Sequence, residues 1–441
     1  MDKVTHSYKN ITPLGGLNFI LKAIADKGLY QYLGDQLGAR SINAKYSYSD
    51  IVLSLFANAV SQGSYISDMA HLKEIYKEQF FQNIPSPDTV EYACQELKTP
   101  MIIENTDKGV VHWFNYSDKM NALLIGLAVK SGVLRSSTQG YTLDFDNVVI
   151  ENDKQDAKLS YKMTKGYHPG LAFIGRIPVH IENHNGNTPA TYKQDETLQR
   201  CFDNLKKEGV KVTSFRGDAA SYQKKVIEVA EANTETFYVR LVNCENFREE
   251  CGGQKKWENV LINNILKEVA TIEYQPFGEE KQYRAVVTRT ERKDKQADLI
   301  SGTAYDYYGI MTNDNVKTNK AVIEFYNQRG DDENSNRYML NDFNLHHLPF
   351  PDMCTNTVFM YLMAMCATLF EWTKTILVAN KATGIKISMR VKNIFFHYIL
   401  VAATYIKHAR KKIFKIFSTD RVYSVLKILY SGLWAYKSEL Q

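Results

Sequence analysis

The chain has 441 residues, more than one hydrophobic core usually serves, so two or three domains are expected. Its 44% hydrophobic and 23% charged residues are those of an ordinary globular protein and exclude a disordered or fibrous chain. The net charge of +5 hides an uneven distribution: from Cys354 onward there are 13 Lys+Arg against 3 Asp+Glu, which leaves about −5 on the rest. A basic tail on an acidic body suits a polyanionic partner, because Lys and Arg neutralise phosphates and release counterions; a solvated helix face accounts for it equally well.

The six cysteines include no C-x-x-C pair and no zinc ligand set, so reduced thiols are expected. The opening MDKVTHSYKN has no apolar stretch of a secretory signal, and a cytoplasmic, nucleoid-associated protein is expected. The most apolar run, 358–370, is interrupted by Glu371 and Lys374 and is too short to span a bilayer, so no membrane partner is expected.

In chain order, residues 13–100 read as helical. Leu14, Leu17, Ile20, Leu21 and Ile24 recur at helical spacing, and Ile51, Leu53, Leu55, Phe56 and Val60 mark a second apolar helix. Pro85-Ser86-Pro87-Asp88 offers a cap for a further short helix, compatible with a helix-turn-helix or with plain helix packing. From Gly140 the texture changes. Residues 141–150, 171–174 and 178–182 read as strands, 192–208 as a helix, 210–215 as a strand, 219–233 as a helix and 236–242 as a strand. Residues 243–317 contain strand-like pieces at 270–274, 283–288 and 307–312. Residues 316–337 read as one helix, and 355–441 as helical and basic.

Three strands, helix, strand, helix, strand is the order of a ribonuclease-H-like α/β core. The expected organisation is therefore a helical region (1–135), the first part of that core (136–242) and a β-rich insertion (243–317). The last core helix (318–353) and a basic helical region (354–441) follow. Ligand sites in open α/β sheets lie at the carboxyl ends of strands. Asp146 sits there with Asp144 two residues before it on the same face. Asp218 ends the fourth strand after Arg216-Gly217, and Glu333 lies on the helix after the insertion. Taken singly each is a weak signal. Three carboxylates on two strands and a helix can together hold two Mg2+ ions about 4 Å apart, the arrangement for in-line displacement at phosphorus. That chemistry is nuclease or strand-transfer chemistry.

Tyr326-Asn327-Gln328-Arg329-Gly330-Asp331-Asp332-Glu333 matches the pattern Y-x-x-R-x-x-x-E. In that run, and in Leu143-Asp144-Phe145-Asp146, Gly166-Tyr167-His168-Pro169, Gly186-Asn187-Thr188, Arg216-Gly217-Asp218 and Tyr405-Ile406-Lys407-His408-Ala409-Arg410, the chain resembles DDE-type bacterial insertion-sequence transposases, closest to the 1380 family of insertion sequences. The resemblance covers nearly the whole chain. It implies that Asp146, Asp218 and Glu333 are catalytic and hold the metal, two Mg2+ ions for which Mn2+ can substitute. In the family a small polar residue and Thr follow the first acid. Here Asn147 and Val148 follow, so Asp144 stays an alternative to Asp146, which alignment favours.

The resemblance also implies that the helical region 1–135 is the DNA-end-binding region and that Tyr326 and Arg329 contact transposon-end DNA. Many relatives carry a Lys about seven residues after the Glu; here that region reads Met339-Leu340-Asn341, and Arg337 is the substitute candidate. Trp257, in the insertion, is a candidate for stacking a flipped base. Lys407, Arg410, Lys411, Lys412 and Lys415 are candidate phosphate contacts. His168 reads first as a hydrogen-bonded turn residue, with a metal-site neighbour as the alternative. The partners implied are double-stranded DNA, as terminal inverted repeats and as target, and a second copy of the chain in the DNA complex. The implied activity is cutting at the element's ends and joining of the 3′-OH ends to target DNA. The alternatives are a metal-dependent nuclease without strand transfer and an inactive domesticated DNA-binding protein.

Overall fold

The computed structural model describes residues 11–75, 84–135, 140–278, 280–408 and 411–430, without the side chains of residues 331–334, 407, 408, 411 and 412. A short strand β1 (Ile11–Thr12) leads into helices α1 (Gly15–Asp26), α2 (Leu29–Leu37), α3 (Tyr48–Val60), α4 (Met69–Ile75) and α5 (Pro87–Leu97). Ser47 and Asp50 form a reciprocal capping box that starts α3. All 13 residues of α3 are buried, so this helix is a core element and presents no face to a DNA groove.

The region is not helical throughout, as its sequence suggested. β2 (Ile102–Asn105) and β3 (Val111–Asn115) form a hairpin before α6 (Asp118–Ser131). Val111, Trp113 and Phe114 favour a pleated surface, and Phe114 buries itself on the edge of the central sheet.

The central sheet begins with β4 (Tyr141–Asn147), after which β5 (Ile150–Glu151), β6 (Lys158–Leu159) and β7 (Lys165–Tyr167) make a small separate sheet. β8 (Gly170–Ile174), β9 (Ile177–His184), α7 (Gln194–Lys207), β10 (Val212–Gly217), α8 (Lys224–Asn233) and β11 (Thr236–Arg240) complete the core. The order across it is β9-β8-β4-β10-β11. β8 runs antiparallel to both β4 and β9, while β10 is parallel to β4 and β11.

Residues 243–317 were expected to interrupt this core with β structure. They hold α9 (Glu245–Gly253) and then β12 (Glu258–Ile262), β13 (Ile265–Tyr274), β14 (Tyr283–Glu291) and β15 (Tyr305–Thr312). β15 pairs with β11, so these strands continue the same sheet, which reaches 11 strands from β12 to β2.

Helices cover both faces of the sheet. Leu143, Phe145, Phe215 and Val239 pack against α7, α8 and α9 on one face. On the other, Tyr238, Val286 and Ile310 pack against α10 (Asn319–Asn327), and Leu171, Phe173 and Ile181 against α12 (Met353–Ala379). α12 is apolar and long enough to cross a membrane by composition, but its apolar window is wholly buried within the protein, in one core with α1 to α5.

Two further expectations are corrected. Residues 316–337 do not form one helix: α10 ends at Asn327 and α11 (Gly330–Arg337) starts after a tight turn in which Arg329 N–H reaches back to the Tyr326 carbonyl at 2.9 Å. Gly330, a poor helix former, sits at the break. The C-terminal region is not all helix either. After α13 (Val391–Ile394), β16 (Ala403–His408) and β17 (Lys411–Ile416) form a hairpin to which β1 adds a third strand, and α14 (Asp420–Tyr430) follows. Across the hairpin Tyr405 stands opposite Phe414 and Ile406 opposite Ile413, apolar pairs that suit strands.

Candidate active site

The site grows from strand register. On adjacent parallel strands Arg216 stands opposite Asp144 and Gly217 opposite Phe145. The paired register ends there; Asp146 and Asp218 are the residues that follow Phe145 and Gly217 at the carboxyl ends of the two strands. Asp144, 2% exposed, accepts two hydrogen bonds from Arg216, from Nε at 2.6 Å and Nη2 at 2.7 Å. Arg216 Nη1 also donates to the Phe325 carbonyl at 2.7 Å, which ties α10 to the sheet. A bidentate pair of this kind commits both carboxylate oxygens of Asp144.

Asp146 lies on the same face but nearer the strand end, with its side chain 25% exposed. Its Oδ1 accepts from the Asn147 N–H at 3.0 Å and lies 3.2 Å from Arg329 Nη2. Its Oδ2 accepts from Asn336 Nδ2 at 2.9 Å. Asp218 is half-buried, and its Oδ1 caps the turn after β10 through the Ala220 N–H at 3.0 Å. Before it, Gly217 is required by close packing: a Cβ there would fall 2.4 Å from Ser221 Oγ. Tyr326 is buried on α10 with its hydroxyl donating to the Gly217 carbonyl at 3.0 Å, so its polar end is used inside the protein.

Arg329 occupies the joint between α10 and α11, in the turn and not on a continuous helix face. Burial disfavours its charge, but Asp146, Tyr326, Asp218 and Asp144 around it outweigh burial and raise its pKa. Its Nη2 also approaches the Phe145 carbonyl at 3.4 Å, while its Nε is buried with no hydrogen-bond partner among the described residues. The same surroundings act on Tyr326, whose pKa is raised by burial first.

Glu333 lies on α11, one turn before Asn336, and its side chain lies outside the description. Asn336, one turn further on, holds this helix against Asp146. Among the described residues no three His, Cys, Asp or Glu side chains make up a metal site. The donor chemistry fits Mg2+ or Mn2+: every candidate ligand is a carboxylate oxygen, and the carboxylates already draw a cation, Arg329, into contact.

Other candidates lie elsewhere. Trp257 stacks on Tyr307 with centroids 6.0 Å apart, carries the Arg289 guanidinium 4.4 Å from its ring and donates to the Gln254 carbonyl at 2.9 Å. Tyr307 belongs to the α7–α9 side of the sheet, whereas its neighbour Tyr308 meets Tyr326. Trp257 is therefore a packing residue on the face away from the carboxylates, not an open stacking platform beside them. Arg337 is exposed at the end of α11, and Lys415 is exposed on β17. Arg410 lies outside the described residues, as do the side chains of Lys407, Lys411 and Lys412. His168 is buried with Nδ1 2.8 Å from the Thr188 carbonyl, and burial lowers its pKa.

Asn336 and the role of Arg216 as the partner of Asp144 went unread in the sequence. The only available signals were the helical spacing of Asn336 from Glu333 and the Arg-Gly-Asp run itself.

The family described as "Transposase DDE domain group 1" matches residues 14–433. No curated protein matches the chain in sequence. Among solved structures, a piggyBac transposase synaptic complex with hairpin DNA is similar at 10% identity and a TM-score of 0.45, over 87% of this chain and 79% of that one.

Proposed function

The chain belongs to the DDE transposases of domain group 1, and from that premise we propose that it cuts DNA at the terminal inverted repeats of an insertion sequence, of the 1380 family, and joins the freed 3′-OH ends to target DNA. Transposases of this type generally use divalent metals. The observation that carries the reading is the placement of Asp146 and Asp218 at the carboxyl ends of neighbouring parallel strands, each one residue beyond the last registered pair, with the Glu333-bearing helix tied to Asp146 through Asn336. The strand order β9-β8-β4-β10-β11 supports a ribonuclease-H-like core.

Asp146, Asp218 and Glu333 would hold two Mg2+ ions, which supply an activated oxygen nucleophile and charge neutralisation at the scissile phosphate. The chain's other residues prepare that site. Arg216 takes Asp144 out of competition and anchors α10. Tyr326 holds the Gly217 carbonyl and so fixes the backbone that presents Asp218. Arg329 has a planar fork suited to a phosphate and stands beside Asp146. Because displacement proceeds by direct attack of water or a 3′-OH, no protein nucleophile is needed. The basic β16–β17 hairpin with Lys407, Arg410, Lys411, Lys412 and Lys415, together with Arg337, contacts phosphates outside the site, and a second copy of the chain engages the other DNA end.

The test is cleavage and strand transfer of labelled end DNA in Mg2+. Asp146→Asn, Asp218→Asn and Glu333→Gln should each abolish both reactions and leave end binding largely intact. Asp144→Asn should act differently: it strips the buried Arg216 of its anion and lowers folding stability by about 3–5 kcal/mol. Full turnover by the Asp218 or Glu333 variant refutes the assignment, and cleavage without strand-transfer product makes the protein a nuclease.

A further inference from the structure

Asn336 is 7% exposed, one helical turn after Glu333 on α11. Its contact with Asp146 has a fixed polarity. A carboxylate only accepts, so the carboxamide presents its NH2 group to Asp146 Oδ2 and turns its own oxygen away. That oxygen is buried and has no hydrogen-bond partner among the described residues, a costly state for a buried acceptor. The preceding residue, Ser335, is 1% exposed and donates to the Gly175 carbonyl at 3.3 Å, in the turn between β8 and β9. Two consecutive residues of α11 therefore fasten it to two separate points of the sheet, and one of those points is the carboxylate at the site.

We infer that Asn336 is a positioning residue for the metal-binding carboxylates. It holds the Asp146 rotamer, fixes the distance between Asp146 and the backbone of Glu333, and keeps its Oδ1 as an acceptor for water brought in with the cation. A structural tie alone accounts for a hydrogen bond between helix and strand. It does not account for a buried acceptor that has no partner among the described residues beside the site. The inference rests on Asp146 and Glu333 being the ligands proposed above. Outer residues that orient ligands change metal affinity about 10–100-fold when removed.

The experiment is a Mn2+ titration of the full chain without DNA, followed by calorimetry or by the electron paramagnetic resonance of free Mn2+. Wild type, Asp146→Asn, Asn336→Ala and Asn336→Leu are compared, the last keeping the side-chain volume without polar atoms. Both Asn336 variants should bind Mn2+ about tenfold more weakly or worse, with metal-free melting temperatures close to wild type. Their end cleavage should recover as Mn2+ is raised, so that the apparent metal constant moves more than the rate at saturation. If both variants melt lower yet bind Mn2+ as wild type does, Asn336 is a structural tie and the inference is overturned. If Asp146→Asn also binds as wild type, the metal site lies elsewhere and both assignments fall.

Discussion

At Asp146, Arg329, Asn336 and the Asn147 N–H meet on two oxygens. Arg329 is the one that carries charge, and a cation entering the site meets that charge at 3.2 Å from its ligand. At an effective dielectric of about 20, two unit charges about 4 Å apart interact by roughly 4 kcal/mol, an upper range for so polar a setting. Arg329→Ala should therefore bind Mn2+ several-fold more tightly than wild type while cleaving end DNA more slowly in single turnover. Arg329→Lys, which keeps the charge and loses the fork, should stay near wild type in metal affinity and still be impaired in cleavage. Unchanged metal affinity in Arg329→Ala would place the guanidinium outside the field of the site. The sequence put Asp144 and Asp146 on one face through the two-residue period of a strand. Which of them is committed elsewhere was not legible, because it depends on register with a strand some 70 residues later that brings Arg216 opposite Asp144.

Among the elements, α12 combines an apolar surface with a buried charge pair. Lys374 Nζ lies 2.7 Å from Glu371 Oε1 and donates to the carbonyls of Ile387 at 2.9 Å and Met389 at 3.0 Å. Burial lowers the Lys374 pKa against the opposing pull of Glu371, so its partners offset only part of the cost of burying the charge. Lys374→Met leaves Glu371 buried without a cation and two carbonyls without a donor. It should cost about 3–5 kcal/mol in urea unfolding. The double variant Glu371→Leu, Lys374→Met should recover most of that loss, and a single variant that loses under about 1 kcal/mol would contradict a stabilising pair. The helix itself was legible from its run of apolar residues. The β16–β17 hairpin was not, because its basic residues read as a charged helix until β1 supplies a third strand. The break at Gln328-Arg329 was equally hidden, since the Y-x-x-R-x-x-x-E spacing fits a continuous helix as well as a jointed one.

Across the whole molecule the N-terminal and C-terminal segments are knitted together. β1 pairs with β16, Gly15 N–H donates to the Val401 carbonyl at 2.7 Å, and Phe19 meets Phe414 and Tyr430. At Gly16 a Cβ would lie 1.7 Å from the Tyr398 carbonyl oxygen, backbone against backbone, so Gly16→Ala forces the two segments apart. It should lower stability by about 1–3 kcal/mol and speed hydrogen exchange at β1 and β16. An unaltered melting temperature would mean that the segments do not meet so closely. The succession of strands and helices along the core could be read from the alternation of their patterns; their order across the sheet could not. The shared helical core could not, since apolar periodicity says which face is buried and nothing about what buries it.

That shared core sets a schedule for synthesis. The hydrogen bond from Cys366 Sγ to the Val52 carbonyl spans 314 residues. At about 5–20 residues per second the ribosome takes roughly 15–60 s to cover that interval. Throughout it, α1 and α3 have emerged without the helix that covers them, and their apolar faces are open to chaperones and proteases. A nascent chain that stops short of α12 has no closed core and no held α11, so it is degraded or aggregates and does not persist as a weak enzyme. Abundance of the working protein is then governed by how often translation runs through to α12 and by the chaperone capacity that waits for it.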